Sequence, residues 1–319
     1  MIDSVKRPSL ISIIIPIYNE SENIPLMVEE INKVSLKYPY EILFINDGSD
    51  DSATLFHLER VHQKYPFVKY ISFVRNFGHQ IALKAGIDHA NGDCVISMDG
   101  DLQHPPALLP LLIEKWQEGS DIVITKRVDY GDVGFLKKIT SKLYYKFISN
   151  LLNIPVQDGE SDFRLLDRSV ILALRQFNEI TPFYRGLVRW IGFNSAEVSY
   201  KANNRIHGKS KYSFKKMLKL GIGGVLSFSL KPLYLSIYLG FFSALMSIVV
   251  FFYSLISLYL GHVVQGWTST LIIIAFFSGI QMIVFGIFGL YLSNMFLQVK
   301  NRPLYIVGKN TYKKDDERN

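Results

Sequence analysis

The chain has 319 residues, enough for more than one domain; 49% are hydrophobic, only 20% are charged, and the mean hydropathy is positive at +0.17. That balance excludes an ordinary water-soluble protein of this size. The net charge of +7 suits an anionic substrate, an anionic membrane surface or nucleic acid, and the single cysteine, Cys94, excludes an internal disulfide and fits a reducing compartment.

The first half alternates short apolar runs with helix-length segments. "LISIIIPIY" reads as a buried strand; it is interrupted by Ser12 and Pro16 and is too short for a signal peptide, which places the N-terminal part in the cytosol. A helix is expected over "ESENIPLMVEEINKVSLKY", with apolar residues at Ile24, Met27, Val28, Ile31 and Val34. A strand and turn, "YEILFINDGSDD", lead to a helix from Ser52 to Lys64 and a third strand, "VKYISFV". "HQIALKAGIDHA" is a helix, "CVISMDGD" a fourth strand that buries Cys94, "PALLPLLIEKWQEG" a helix and "DIVITKR" a fifth strand. Strands and helices in this alternation predict an α/β fold with a doubly wound, mostly parallel sheet, whose ligands bind at the carboxyl ends of the strands. The polar clusters fall there: Asn19–Glu20, Asn46 to Ser49, Arg75–Asn76, Asp99 to Asp101, and Lys126–Arg127.

The second half changes character. Leu136 to Asn153 mixes lysines with aromatics at helical spacing and reads equally as a membrane-surface helix or as a helix packed on the domain. After a further α/β stretch to Tyr200, a basic segment carries Arg205, His207, Lys209, Lys211, Lys215, Lys216 and Lys219. Leu233 to Leu260 and Thr268 to Val299 contain no charged residue, and each exceeds the roughly 20 residues that cross a bilayer. Small residues recur in both, as in packed membrane helices. Lysines and arginines flank the pair while the connector "GHVVQGW" has none, so both flanks are expected in the cytoplasm and the connector outside. The expected division is residues 1–205 as the catalytic domain, 206–231 as a basic amphipathic juxtamembrane segment, 232–299 as a two-helix membrane domain and 300–319 as a cytoplasmic tail.

Within "MDGDLQHPP", two acids one residue apart on a strand point to the same side. At a strand end, Asp99 and Asp101 can share one hard cation, and Gln103 adds a carbonyl oxygen; Mg²⁺ and Mn²⁺ favour such ligands. The competing reading is a turn whose acids cap the helix opened by Pro105–Pro106.

These motifs, taken in order with "IIIPIYNESENI", "EILFINDGSDDS", "RNFGHQIALKAGIDHANGD", "SDFRLLDRSV", "RGLVRWIGF" and "GKSKYSF", resemble the family 2 polyprenyl-phosphate glycosyltransferases of GT-A fold. The resemblance is nearest to the bacterial bactoprenol (undecaprenyl-phosphate) glucosyltransferases, with dolichol-phosphate mannose synthase as a relative, and runs from about Leu10 to about Lys300. It implies that Pro16, Tyr18, Asn19 and Glu20 border the nucleotide and that Asp47 holds the base or ribose. It makes Arg75 and Lys84 candidate nucleotide contacts, with Asp99 on ribose or metal and Asp101 and Gln103 on the metal, Mg²⁺ or Mn²⁺. Asp162, with Asp158 as fallback, becomes the acid near the acceptor, able to orient its phosphate or accept its proton, or else to cap a helix; Arg164 can pair with either acid. Arg127, Arg205, Lys209 and Lys211 are candidates for holding the acceptor phosphate. The chain departs from the family pattern at Asn46, Gly100 and His104, where relatives commonly have an acid, alanine and aspartate; His104 is expected to be a loop residue.

The implied reaction is inverting, metal-dependent transfer of one hexose, first of all glucose from UDP-glucose, to a polyprenyl phosphate at the cytoplasmic face of the bacterial inner membrane, for cell-envelope glycan modification. A homo-oligomer is allowed, and nucleic acid is not expected as a partner. Two other readings compete. A processive polysaccharide synthase needs a glutamine where "GLVRW" has Gly186, and more than two membrane spans. A non-catalytic membrane adaptor or lipid transporter has no use for intact Asp99, Asp101, Gln103 and Asp162, and the spans carry no charge for a polar path.

Overall fold

The computed structural model describes residues 6–128, 159–180, 182–201, 224–225, 229–261 and 266–311. The chain divides into two compact units, one holding the sheet and the other the long apolar helices.

The sheet begins with β1 (Ile11–Ile17), every residue of which is buried. Its neighbours are β2 (Tyr40–Asn46) and β4 (Cys94–Ser97), both parallel to it, and β3 (Val68–Phe73) lies parallel beyond β2. A continuous apolar run suits this place, because helices cover both faces of a parallel sheet. Ile11, Ile13 and Ile15 join a core with Ile24, Met27, Val28 and Ile31 of α1 (Asn23–Lys33), Leu58 and Val61 of α2 (Ser52–Lys64), and Leu112 and Trp116 of α4 (Leu109–Gln117). The alternate residue Ile14 points to the other face, where Gly86 of α3 (His79–His89) approaches so closely that an added Cβ would sit 3.1 Å from the isoleucine. Cys94 is fully buried and burial pushes its thiol up, which makes it an inert core group.

Pro16 is tolerated in a central strand for a topological reason. Met98 N–H donates to Ile14 O and Asp47 N–H to Ile17 O, so successive residues of β1 serve opposite neighbours. Pro16 falls on the β4 side, beyond the last registered pair, Ile14 with Ser97, where no ladder bond is lost.

The far half of the sheet is mixed. β5 (Ile122–Arg127), the expected fifth strand, does not lie beside β4. β6 (Glu160–Asp167) is inserted between them, antiparallel to both, and β7 (Ser195–Tyr200) runs parallel to β5 on the outside. Asp167 then caps α5 (Arg168–Arg175) by accepting from Ser169 N–H, and α6 (Tyr184–Trp190) follows. The insertion brings Asp162 and Arg164 to the carboxyl end of β4, with Arg164 opposite Ser97.

In the second unit, α7 (Lys231–Tyr259) and α8 (Trp267–Val299) are 29 and 33 residues long, and both are long and apolar enough to cross a membrane. The chain after them returns to the sheet unit. Val307–Asn310 form β8, antiparallel to β3 at the edge, so the full order is β7-β5-β6-β4-β1-β2-β3-β8. By sequence alone this stretch is expected only as tail. Tyr305 anchors it: the ring stacks on Phe73 with centroids 5.0 Å apart, and the hydroxyl donates to Asp88 at 3.2 Å.

Replacing Tyr305 by alanine should therefore lower stability by about 2 kcal/mol, and by phenylalanine about 1 kcal/mol, through lost stacking and a lost hydrogen bond respectively. Chemical denaturation followed by tryptophan fluorescence measures both; an alanine variant as stable as the parent would show that the edge strand contributes nothing.

Candidate active site

The carboxyl ends of β1, β2 and β4 open onto a cluster of polar loops, and a proline, two glycines and a buried carboxylate shape it. Gly48, at φ +60°, lies against the backbone of Arg75 so tightly that a Cβ would stand 2.1 Å from its carbonyl carbon. Only glycine lets the loops after β2 and β3 cross there. Gly100 likewise leaves 2.7 Å between a built Cβ and Ile17 Cγ2, so an alanine there would need Ile17 to move.

Asp47 organises the second loop. Phe77 N–H donates to it at 2.7 Å, Gly78 N–H at 2.9 Å and Asn76 Nδ2 at 3.0 Å. Burial pushes its carboxyl up against these bonds. With both oxygens engaged by its own chain, Asp47 acts first as the holder of the Arg75–Gly78 loop. Asn46 is also committed: it donates to Ser72 Oγ and accepts from Ser49 N–H and Oγ. An acid at that position could meet Ser72 only as an acceptor of its hydroxyl, the reverse of the bond that Asn46 makes.

Of the other expected nucleotide contacts, Pro16, Tyr18, Asn19 and Glu20 line the end of β1. Tyr18 donates to Asp50 at 2.6 Å, Asn19 adopts φ +52° and accepts from Asp50 N–H, and Glu20 accepts from Asn23. Arg75 is exposed and lies 4.1 Å over the Phe77 ring. Lys84 is elsewhere. It is 2% exposed, pairs with Asp88 at 2.5 Å and donates to Arg175 O at 3.1 Å. It is a buried cation that ties α3 to α5, and the expectation of a nucleotide contact is corrected. The i,i+4 spacing of Lys84 and Asp88 is the sequence signal for that pair.

Asp99, Asp101 and Gln103 lie together after β4. The Asp99 carboxylate is 39% exposed, Asp101 Oδ1 accepts from Gln103 N–H at 3.1 Å, and Leu102 holds the turn at φ +60°. Among the described residues, no three acidic, histidine or cysteine side chains cluster as a metal cage. The donors are all oxygens and too few to fill a shell, which fits a hard cation completed by substrate phosphates and water. His104 is not a simple loop residue. It is buried, stacks on Phe163 at 5.0 Å, accepts from Asp99 N–H at 2.9 Å and sets Nε2 3.6 Å from Asp99 Oδ2. Acceptance at Nδ1 fixes the proton of the neutral ring on Nε2, facing the carboxylate.

Two functional groups escaped the sequence reading. His79, the first residue of α3, puts Nε2 3.6 Å from Asp99 and 3.7 Å from Asp162. Burial disfavours its imidazolium, but the two carboxylates outweigh that and raise it to about 9. Arg185, on α6, grips Asp162 with Nε and one terminal nitrogen, both at 3.1 Å. Asp162 also accepts from Arg164 at 2.9 Å and is 5% exposed. Against the penalty of burial, the guanidinium of Arg185 and the His79 bond hold its carboxyl well below the usual range. Such a carboxylate orients its partners well and accepts a proton poorly. Removing it would strand the buried Arg164, at a cost of about 3 kcal/mol or more. Both missed groups lay inside quoted motifs, His79 next to Gly78 at a helix start and Arg185 beside the Arg189–Trp190 pair. Arg189 itself is held by Glu160 and Glu197. Arg127 ends β5 with an exposed side chain; Asp158, Arg205, Lys209 and Lys211 lie outside the described residues.

The model of the family "Glycosyl transferase family 2" matches residues 12–175, the stretch that carries these loops. The chain belongs to glycosyl transferase family 2. The transferase is 41% identical over 306 residues to the uncharacterized glycosyltransferase YkcC of Bacillus subtilis (strain 168), covering 94% of this chain and 93% of that one. It is 39% identical to the bactoprenol glucosyl transferase of Shigella phage SfII, covering 94% and 98%. Among solved structures, it is similar to glucosyl-3-phosphoglycerate synthase from Mycobacterium tuberculosis, with 18% identity, a TM-score of 0.46, and 69% and 79% covered. The enzyme is a glycosyltransferase, a relative of the bactoprenol glucosyl transferases.

The imidazolium of His79 stabilises the fold fully below the ordinary histidine value of 6.5, and that contribution is lost as pH rises through about 9. In metal-free protein kept in chelator, thermal melts should fall over that window, and His79→Gln should flatten the fall. An unchanged pH dependence in the variant would assign the loss to other groups.

Proposed function

We propose that the transferase moves a single glucose from UDP-glucose to the phosphate of a polyprenyl phosphate, with inversion, at the cytoplasmic face of the plasma membrane. The observation that carries the reading is near-full-length similarity to bactoprenol glucosyl transferases, 39% over 94% of the chain, spanning the sheet and both apolar helices. Asp101 and Gln103, with Asp99, would hold Mg²⁺ or Mn²⁺. That cation would offset the charge that develops on the departing diphosphate. Pro16, Tyr18, Asn19, Glu20 and Arg75 would form the nucleotide wall on the loops that Asp47 braces.

The acceptor suits the site. A phosphate monoester has a second pKa near 6 and is largely dianionic at neutral pH. It attacks the anomeric carbon without a base, and the electron pair of the broken bond leaves on UDP. One displacement gives inversion. The protein's task is then to place two anions side by side, for which Arg185, Arg164 and His79 supply positive charge around Asp162. The ionised state of Asp162 supports an orienting role over proton acceptance. Arg127, Arg205, Lys209 and Lys211 remain candidate contacts for the lipid phosphate.

Chain connectivity supports the orientation. The chain leaves the sheet unit before α7 and returns to it as β8 after α8. If both helices cross the bilayer, two spans leave the two flanks on the same side, the arrangement that the basic flanks at Lys231, Lys300 and Arg302 also favour.

Membranes containing the enzyme, given labelled UDP-glucose, polyprenyl phosphate and Mn²⁺, should yield a lipid-linked monosaccharide; a polymer would favour a processive synthase. Asp101→Ala should reduce the rate by at least about a hundredfold if the cation acts at the diphosphate; full activity would sink the metal assignment. A cysteine placed at Gln265 should react with an impermeant reagent from outside the cell, and labelling from the cytoplasm alone would overturn the topology.

A further inference from the structure

Asp162 is built to hold an arginine. Both of its oxygens meet Arg185 side-on at 3.1 Å, and Arg164 reaches Oδ1 at 2.9 Å. The side chains of Asp162 and Arg164 are buried, at 5% and 3% exposure, whereas that of Arg185 is 28% exposed. The two guanidiniums share the one carboxylate, and Arg185 is the more exposed of the two. His79 places this cluster beside Asp99, with Nε2 3.7 Å from one carboxylate and 3.6 Å from the other. The arginine is thus anchored one side chain away from the carboxylate expected to face the donor. A guanidinium has five N–H donors in a rigid fork, so fixation by one carboxylate is compatible with gripping a second oxyanion.

We propose that Arg185, fixed by Asp162, grips the phosphate of the lipid acceptor, and that Asp162 is a positioning residue. The inference rests on the polyprenyl-phosphate reading above. Arg185 then offsets the repulsion between the incoming phosphate and the donor diphosphate, and its fork directs one phosphate oxygen at the sugar carbon. The second guanidinium, Arg164, keeps Asp162 ionised when Arg185 turns toward its ligand.

The test uses full-length protein in detergent with UDP-glucose, Mn²⁺ and farnesyl phosphate as a short acceptor. Arg185→Lys keeps the charge that Asp162 needs and loses the fork; Arg185→Gln loses both. The KM for farnesyl phosphate should rise about tenfold in the lysine variant and further in the glutamine variant, while UDP-glucose affinity stays within about twofold. Direct binding of farnesyl phosphate to donor-free protein should weaken in the same order. Asp162→Asn should raise the acceptor KM and leave the pH–rate profile in place, because no base is lost. Loss of the acidic limb in that variant would make Asp162 a base and overturn the proposal. If the wild type transfers glucose but Arg185→Gln keeps its acceptor KM, or loses donor affinity in step, the Arg185 assignment fails alone. If the wild type neither binds farnesyl phosphate nor transfers to it, the acceptor reading falls as well.

Discussion

The buried carboxylate of Asp162 is where the carboxyl edge of the sheet is tied together. It comes from β6, one of its guanidiniums from the same strand, the other from α6, and the imidazole from the first turn of α3. Three elements far apart in sequence therefore share one electrostatic knot. A carboxylate in this position is tolerated only because three cationic or donor groups surround it. The knot in turn fixes how close His79 stands to Asp99, and so how the β4 loop faces the rest of the site. The antiparallel insertion of β6 makes this possible: a purely parallel sheet would put β5, which carries no acid among its six residues, beside β4.

A second carboxylate does comparable work with different partners. Asp47 uses backbone N–H groups of Phe77 and Gly78 where Asp162 uses guanidiniums. Backbone donors cannot leave, so Asp47 sets the shape of the loop that ends in His79. Its position just after β2, with Gly48 admitting the backbone of Arg75, links the loops at the ends of two neighbouring strands. The outcome is that His79 is located from both sides, by Asp47 through its own loop and by Asp162 through space.

These facts explain which parts were legible in the sequence. The strands of the first half, four to seven residues long, could be read because each is built on a short apolar run between turn residues, and the helices because one face is apolar. The cluster of polar residues at strand ends followed from the parallel connection rule. What could not be read is partnership. Nothing in "FGHQ" says that the imidazole reaches two carboxylates 20 and 83 residues further along the chain. Lys84 stood as a nucleotide contact only through the family resemblance, and its helical position turns it toward Asp88 and α5. β8 was invisible for another reason: "VGKN" is short and mostly exposed, and only the open edge of β3 and the seat of Tyr305 make it a strand.

That edge strand bears on how the enzyme meets its acceptor. On the proposed reading that acceptor is a lipid phosphate, which cannot leave the membrane surface. One flexible tether would restrict the sheet only to a sphere set by linker length. Here the chain enters the apolar helices from one part of the sheet unit and returns to another, and β3, to which it returns, runs straight into the loop of Arg75 to His79. The returning segment pairs with β3, one strand away from Asp47, and is held there by a few hydrogen bonds of β8 and the stacked rings of Tyr305 and Phe73.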